Sequence, residues 1–145
     1  MEEQVILVDK NDNPIGKIGK LKAHQKGLLH RAISVFVFNS KGEMLLQQRA
    51  SHKYHTPALW SNTACSHPRS NEIVKRAAER RLKEEMGIEC DVFYAFNFLY
   101  RASFDNGLIE NELDHVYIGF SDEKPKPNPS EVGDYRYINS NDLIQ

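Results

Sequence analysis

Residues 60–87, WSNTACSHPRSNEIVKRAAERRLKEEMG, contain the one segment whose hydrophobic pattern admits a single reading. At about 100° per residue, Ile73, Val74, Ala77, Ala78 and Leu82 fall on one apolar arc, as an amphipathic helix requires. Lys75, Arg76, Glu79 and Lys83 form the opposite, solvated face. Ser70 or Asn71 is suited to cap the start, and Gly87 to stop the helix at its C-terminal end. Arg81 and Glu85 break the division, because both project from the apolar arc one turn apart. One explanation is an i,i+4 ion pair. The other is a functional site that needs both charges, and the core-side position, where an unpaired charge is costly, favours it.

The segments around this helix read mainly as strands. Residues 4–9 and 15–19 are short strands joined by the turn cluster Asn11-Asp12-Asn13-Pro14. Residues 20–27 are polar and carry His24, and His30 leads into the apolar run 32–38. Ser40-Lys41-Gly42 is a hairpin turn that pairs residues 43–48 back on that run. Residues 49–57, RASHKYHTP, form a basic and aromatic loop. Strands follow at 91–100, 110–120 and 132–138, with a Pro-rich surface loop at 124–130 and a short helix from Asn139. One long helix among strands, without regular βα alternation, predicts an α/β (α+β) domain with a mixed sheet sandwiched between helices. The 145 residues suit a single domain. A net charge of −1 gives no bulk field for nucleic acid or anionic membrane. No run approaches the ~20 apolar residues of a membrane span. Two cysteines are too few for a disulfide framework, which predicts free thiols in a reducing, cytoplasmic compartment.

Several side chains could carry chemistry. Glu110 and Glu112 leave one face of a strand, where paired carboxylates repel unless a cation or a shared proton lies between them. Cys65 and His67 share a side of an extended segment, and His24 and His30 flank the start of a core strand. If they converged, three imidazoles and two carboxylates would suit Zn, Mn or Fe(II) rather than Ca. A cation or imidazolium near Cys65 would lower its pKa and make it reactive; otherwise it is a small buried hydrophobe. Cys90 has no such neighbours and reads as structural. Lys20, Arg49, Lys53 and Arg81 are scattered basic residues that together could bind a diphosphate, aided by a divalent cation on Glu85.

Residues 66–88 resemble the Nudix box, G-x5-E-x7-R-E-U-x-E-E-x-G-U, with Glu72, Arg80, Leu82, Glu84, Glu85, Gly87 and Ile88 in register. Ser66 stands at the glycine position, and Arg81 replaces the glutamate after the arginine. That glutamate helps bind the catalytic metals of Nudix hydrolases, so Arg81 weighs against diphosphate hydrolysis. The segments HQKGLLHRAISVFVFN, LLQQRA, WSNTACSHP, RRLKEEMGI and LYRASFDNGLIENELDHVY are similar, in order and over nearly the whole chain, to type 1 isopentenyl-diphosphate isomerase, a Nudix branch with arginine at that position.

The resemblance implies interconversion of isopentenyl and dimethylallyl diphosphate by protonation and deprotonation. Cys65 and Glu112 would work on opposite faces of the substrate, with Tyr100 orienting Glu112 or its proton path. His24, His30, His67, Glu110 and Glu112 would hold one Mn or Zn ion. Glu85 would hold Mg at the diphosphate, which Lys20, Arg49, Lys53 and Arg81 would contact. The implied partner is a small prenyl diphosphate, taken by a monomer or weak dimer, without nucleic acid or membrane. Family members usually continue beyond this end point into a helical segment with a cation-stabilising tryptophan. Residues 1–145 are therefore expected to be one Nudix-type domain lacking that extension. Either the chain is truncated, or Tyr54, Phe96 or Tyr100 supplies the aromatic face. Two other readings stay open: a Nudix diphosphohydrolase, and a catalytically silent module that binds metal and diphosphate.

Overall fold

The computed structural model describes residues 3–51 and 59–139. Two adjacent strands, β1 (Gln4–Val8) and β2 (Pro14–Gly19), form an antiparallel hairpin. Helix α1 (Lys20–Lys26) follows directly, in the stretch expected only to be polar. Seven residues are too few to reveal a helical period. The readable signal was Gly27, which ends the helix in the left-handed region at φ 66° and donates its N–H to Ala23 O.

Strand β3 (His30–Phe38) is the axis of the sheet. It runs parallel to β8 (Ile109–Phe120) along its whole length, His30 opposite Glu112 through Phe38 opposite Phe120. Part of its other edge pairs with β6 (Ala64–Ser66), which places Cys65 opposite Ser34. The expected hairpin between β3 and β4 (Met44–Arg49) is confined to its turn, where Phe38 meets Met44. Beyond that pair β4 leaves β3 and lies antiparallel to β9 (Val132–Ile138) and β5 (Trp60–Ser61). β7 (Val92–Ser103) pairs antiparallel with β8 only, among the described residues. The nine described strands form the expected mixed sheet.

Alternation along β3 sorts the two faces. Ile33, Val35 and Val37 join Leu45, Ala64 and Tyr117 in the main core under helix α2 (Val74–Met86). The helix contributes Ala77, Ala78, Leu82 and Met86, all fully buried. Its start differs from expectation. Asn71 takes a left-handed conformation at φ 64°, so the helix begins at Val74 with Ile73 as its N-cap and no side-chain cap. Ile73 thus leaves the apolar arc and is 63% exposed. Glu72 instead anchors the entry, taking two hydrogen bonds from Arg80 at 2.8 and 3.0 Å.

The exit is as expected: Gly87 caps the helix at φ 66°. The Pro-rich loop then folds across this end, with Lys126 N–H donating to Met86 O at 2.7 Å and Asn128 N–H to Glu85 O at 2.9 Å. These bonds satisfy carbonyls that a helix C-terminus otherwise leaves open. A Cβ on Gly87 would lie 2.7 Å from both Cβ and the carbonyl oxygen of Lys126, so the close approach needs glycine.

Candidate active site

Ser34 and Phe36 of β3, together with Arg81 and Glu85 of α2, border a cavity of about 370 Å³. It gathers most of the residues singled out in the sequence: Lys20, His24, Arg49, Cys65, His67, Arg81, Glu85, Tyr100, Glu110 and Glu112. Lys53 and Tyr54 lie outside the described residues.

Three imidazoles from three different elements meet at one wall. His24 comes from α1, His30 from the start of β3 and His67 from just beyond β6. Their ring centroids are 5.0–6.0 Å apart. With Glu112 they offer four ligand atoms within 4.8 Å of one another. Glu110 borders the cavity one pleat further along β8 but is outside this foursome.

The donor set fits a metal ion. His30 Nδ1 lies 2.8 Å from Leu28 O, which can only accept, so Nδ1 carries a proton. His30 Nε2 then faces Glu112 Oε2 at 3.4 Å, and His67 Nε2 faces the same oxygen at 3.2 Å. The contact with His30 is favourable only with a proton or a metal ion between the two atoms. A backbone carbonyl that fixes the tautomer of a buried histidine is the usual outer support of a metal-ligating imidazole. Burial holds His67 toward its neutral, ligating form, against the pull of Glu112. Burial opposes ionisation of Glu112, but the His30 and His67 imidazoles outweigh it and hold the carboxyl far below the usual carboxylate range. The group can therefore hold a divalent metal.

Cys65 was read as either an activated thiol or a small buried hydrophobe, and its surroundings bear on that choice. Burial pushes its thiol up, and the carboxylates of Glu85, Asp114 and Glu112 add to the effect. Negative charge disfavours a thiolate, so Cys65 stays a protonated thiol rather than an activated nucleophile. Glu112 and Cys65 are thus driven in opposite directions, one to the charged base and the other to the neutral acid.

Arg81 and Glu85 do form the i,i+4 pair, Nε to Oε2 at 3.1 Å, and both also border the cavity. Glu85 is only 4% exposed and takes a second hydrogen bond from Gln47 Nε2 at 2.8 Å. Burial raises its carboxyl, with Arg81 and Gln47 opposing. Arg81 also reaches Glu84 at 3.0 Å and Glu131 at 3.5 Å, and Lys20 stands 3.7 Å from Glu3.

Tyr100 is directly opposite Glu112 across β7 and β8, and burial followed by the charges of Glu110, Glu112 and Asp114 raises its phenol. Phe96 is not among the cavity residues, whereas Phe98 and Tyr100, further along the same strand, line the cavity. Phe104 lines it as well. Asp114 was missed, although it continues the i,i+2 row of Glu110 and Glu112 on β8. It accepts a 2.7 Å hydrogen bond from Ser34 Oγ, and burial, reinforced by Glu112, pushes its carboxyl up to about 6. Ser34 and Gln47 were missed too, since neither residue type signals chemistry until a strand aims it into a cavity.

Known proteins place this architecture. The NUDIX domain family matches residues 28–145. Isopentenyl-diphosphate Delta-isomerase 2 of Aromatoleum aromaticum is 54% identical over 143 residues, covering 99% of this chain and 76% of its own length. Isopentenyl-diphosphate Delta-isomerase 1 of the same organism is 57% identical over 138 residues, covering 95% and 78%. The crystal structure of DR0079 from Deinococcus radiodurans superimposes with a TM-score of 0.79 at 21% identity, over 98% of this chain and 86% of that one, a likeness of fold. No described helix is long and apolar enough to cross a membrane. By fold, by domain family and by relatives matched over nearly its full length, this chain belongs to the Nudix superfamily and, within it, to the isopentenyl-diphosphate Delta-isomerases.

Proposed function

We propose that the chain interconverts isopentenyl diphosphate and dimethylallyl diphosphate, and that Cys65 and Glu112 move the two protons. The observation that carries this reading is a single cavity bordered by the Cys65 thiol and the Glu112 carboxylate, with three imidazoles gathered at that carboxylate. In the forward direction the Cys65 thiol gives its proton to the terminal alkene carbon. A tertiary cation forms, and Glu112 removes a proton from the neighbouring methylene, so the double bond moves without change in oxidation state. The reverse reaction exchanges the two roles. An alkene is a very weak base, so the transfer needs a pocket that excludes water. Phe98, Tyr100 and Phe104 offer aromatic faces to the cation. Tyr100, opposite Glu112, orients that carboxylate.

His24, His30, His67 and Glu112 would hold a metal ion, with Glu110 on the same cavity. Mixed imidazole and carboxylate donors suit Zn or Mn. A bound ion would supply fixed positive charge beside Glu112. Lys20, Arg49 and Arg81 would bind the diphosphate, with Lys53 as a further contact, and Glu85 would hold the Mg that accompanies it. This remote anchor supplies binding energy that positions the reacting carbons. An Arg81→Ala variant should therefore raise the KM for the diphosphate substrate.

The test is incubation with isopentenyl diphosphate and Mg in D2O, followed by NMR. Deuterated dimethylallyl diphosphate is the expected product. Release of inorganic phosphate or pyrophosphate would instead make the chain a hydrolase, and bound substrate without turnover would make it a silent binding module. Cys65→Ala should abolish isomerisation with the fold intact, and normal activity in that variant would remove Cys65 from the mechanism.

A further inference from the structure

The segment before Cys65 is anchored more heavily than a connecting turn requires. Thr63 Oγ1 donates to Leu45 O at 2.6 Å and accepts from Val37 N–H at 2.9 Å, while Gln47 Nε2 donates to Thr63 O at 2.8 Å. Asn62 sits at its head. Its amide nitrogen donates to Val35 O at 3.0 Å and to Ala64 O at 2.8 Å. Both amide hydrogens are thereby used, and the oxygen and nitrogen cannot exchange places. A flipped amide would set its oxygen against two carbonyl oxygens that can only accept. Oδ1 must therefore face the other way, and there it meets Cys65 Sγ at 2.9 Å. An amide oxygen cannot donate, so the proton in this contact belongs to sulfur.

We infer that Asn62 is a positioning residue for the isomerisation: its amide, locked by two strand carbonyls, fixes the Cys65 sulfur in one rotamer and holds the S–H group ready for the alkene. The inference rests on the proposed role of Cys65. With sulfur held in place, delivery of the proton needs only rotation of the hydrogen about the Cβ–Sγ bond. Without Asn62, the thiol samples other rotamers, and the reacting atoms meet in the productive arrangement less often. A misplacement of about 1 Å can cost about 100-fold in rate. Substrate affinity is untouched, because Asn62 is not among the groups assigned to the diphosphate.

The experiment uses Cys90→Ala protein, which leaves one thiol, with and without Asn62→Ala. The infrared S–H stretch of Cys65 is isolated by subtracting the spectrum of a Cys65→Ala, Cys90→Ala protein. A hydrogen-bonded thiol absorbs at lower frequency than a free one. The expected result is a lowered band that rises in Asn62→Ala, with kcat reduced about 10- to 100-fold and KM unchanged. A band that does not move, or an unchanged kcat, overturns the inference. If Asn62→Ala does not fold, the band of the parent protein is compared with that of an alkanethiol in alkane solvent; equal frequencies overturn it and a lowered one supports it. A parent protein with no isomerase activity would refute the proposed function instead, while the band still reports on the Asn62 contact.

Discussion

Removal of Arg81 separates its structural work from its proposed work on the diphosphate. In Arg81→Ala, Glu85 remains almost fully buried without the guanidinium 3.1 Å away. Leaving one partner of a buried ion pair costs about 3–5 kcal/mol. Glu85 keeps its 2.8 Å hydrogen bond from Gln47, so the lower end, about 3 kcal/mol, is expected at neutral pH. Burial already raises the Glu85 carboxyl above its ordinary value of 4.5, and Arg81 is the main force against that rise. Loss of Arg81 raises it further. A carboxyl raised by folding contributes its full stability below the unfolded value and loses it as pH rises through the folded one. The variant should therefore unfold nearly like wild type around pH 4.5 and be most destabilised at neutral pH.

The assay is urea unfolding in chelator at both pH values, for Arg81→Ala, Glu85→Gln and the double variant. Glu85→Gln should rescue the Arg81→Ala protein at neutral pH, since the stranded charge is gone. Added Mg should recover stability in Arg81→Ala but not in the double variant, because the cation takes the place of the guanidinium. The reasoning is refuted by an Arg81→Ala protein within about 1 kcal/mol of wild type at neutral pH, the range expected of an exposed pair, or by a double variant no more stable than Arg81→Ala.

Gly87→Ala should cost about 3 kcal/mol or more, from a left-handed alanine and from displacement of Lys126, whose amide caps the helix; a loss below about 1 kcal/mol in urea unfolding would mean that the loop yields freely. Asp114→Asn should stabilise the metal-free protein above pH 6: the wild-type carboxyl, raised from 3.8 to about 6, is without penalty below pH 3.8 and costs about 3 kcal/mol once ionised at 1.36 kcal/mol per pH unit. Equal pH dependence of unfolding in the two proteins would refute that assignment. Glu112→Gln should lose both activity and most of the metal measured by elemental analysis, and an unchanged metal content would remove Glu112 from the ligand set.

Much of the site was legible because its residues are chemically distinctive and sit in ordered motifs. Cys65 and His67 were placed on one side of an extended segment, and they border one cavity. Arg81 and Glu85 stood out as charges on an apolar arc, and they line the same space. Asn62, Ser34, Gln47 and Asp114 were not legible as site residues. Each is a common polar residue whose importance comes from what it faces: Asn62 from two strand carbonyls and a thiol, Asp114 from a serine one strand away. Helix α1 was missed because seven residues hold fewer than two full turns after its entry. The N-cap at Ser70 or Asn71 failed because Asn71 adopts the left-handed conformation, which a helix cannot continue through.

The sequence by itself determined the elements with strong periodicity, α2 and most strands, because hydrophobic spacing is a local property that any fold must respect. Its motifs also determined the family, since they recur in order along the chain. The tertiary structure alone decided the strand order, in which β3 leaves its sequence neighbour β4 to run beside β8. That distant pairing sets His30 opposite Glu112 and brings the carboxylate to the three imidazoles. It alone decided the charge states as well. The sequence leaves Cys65 between an activated thiol and a buried hydrophobe, and in space burial, with nearby carboxylates, pushes its thiol up. Protonation follows the local field, and that field is made by groups far apart along the chain.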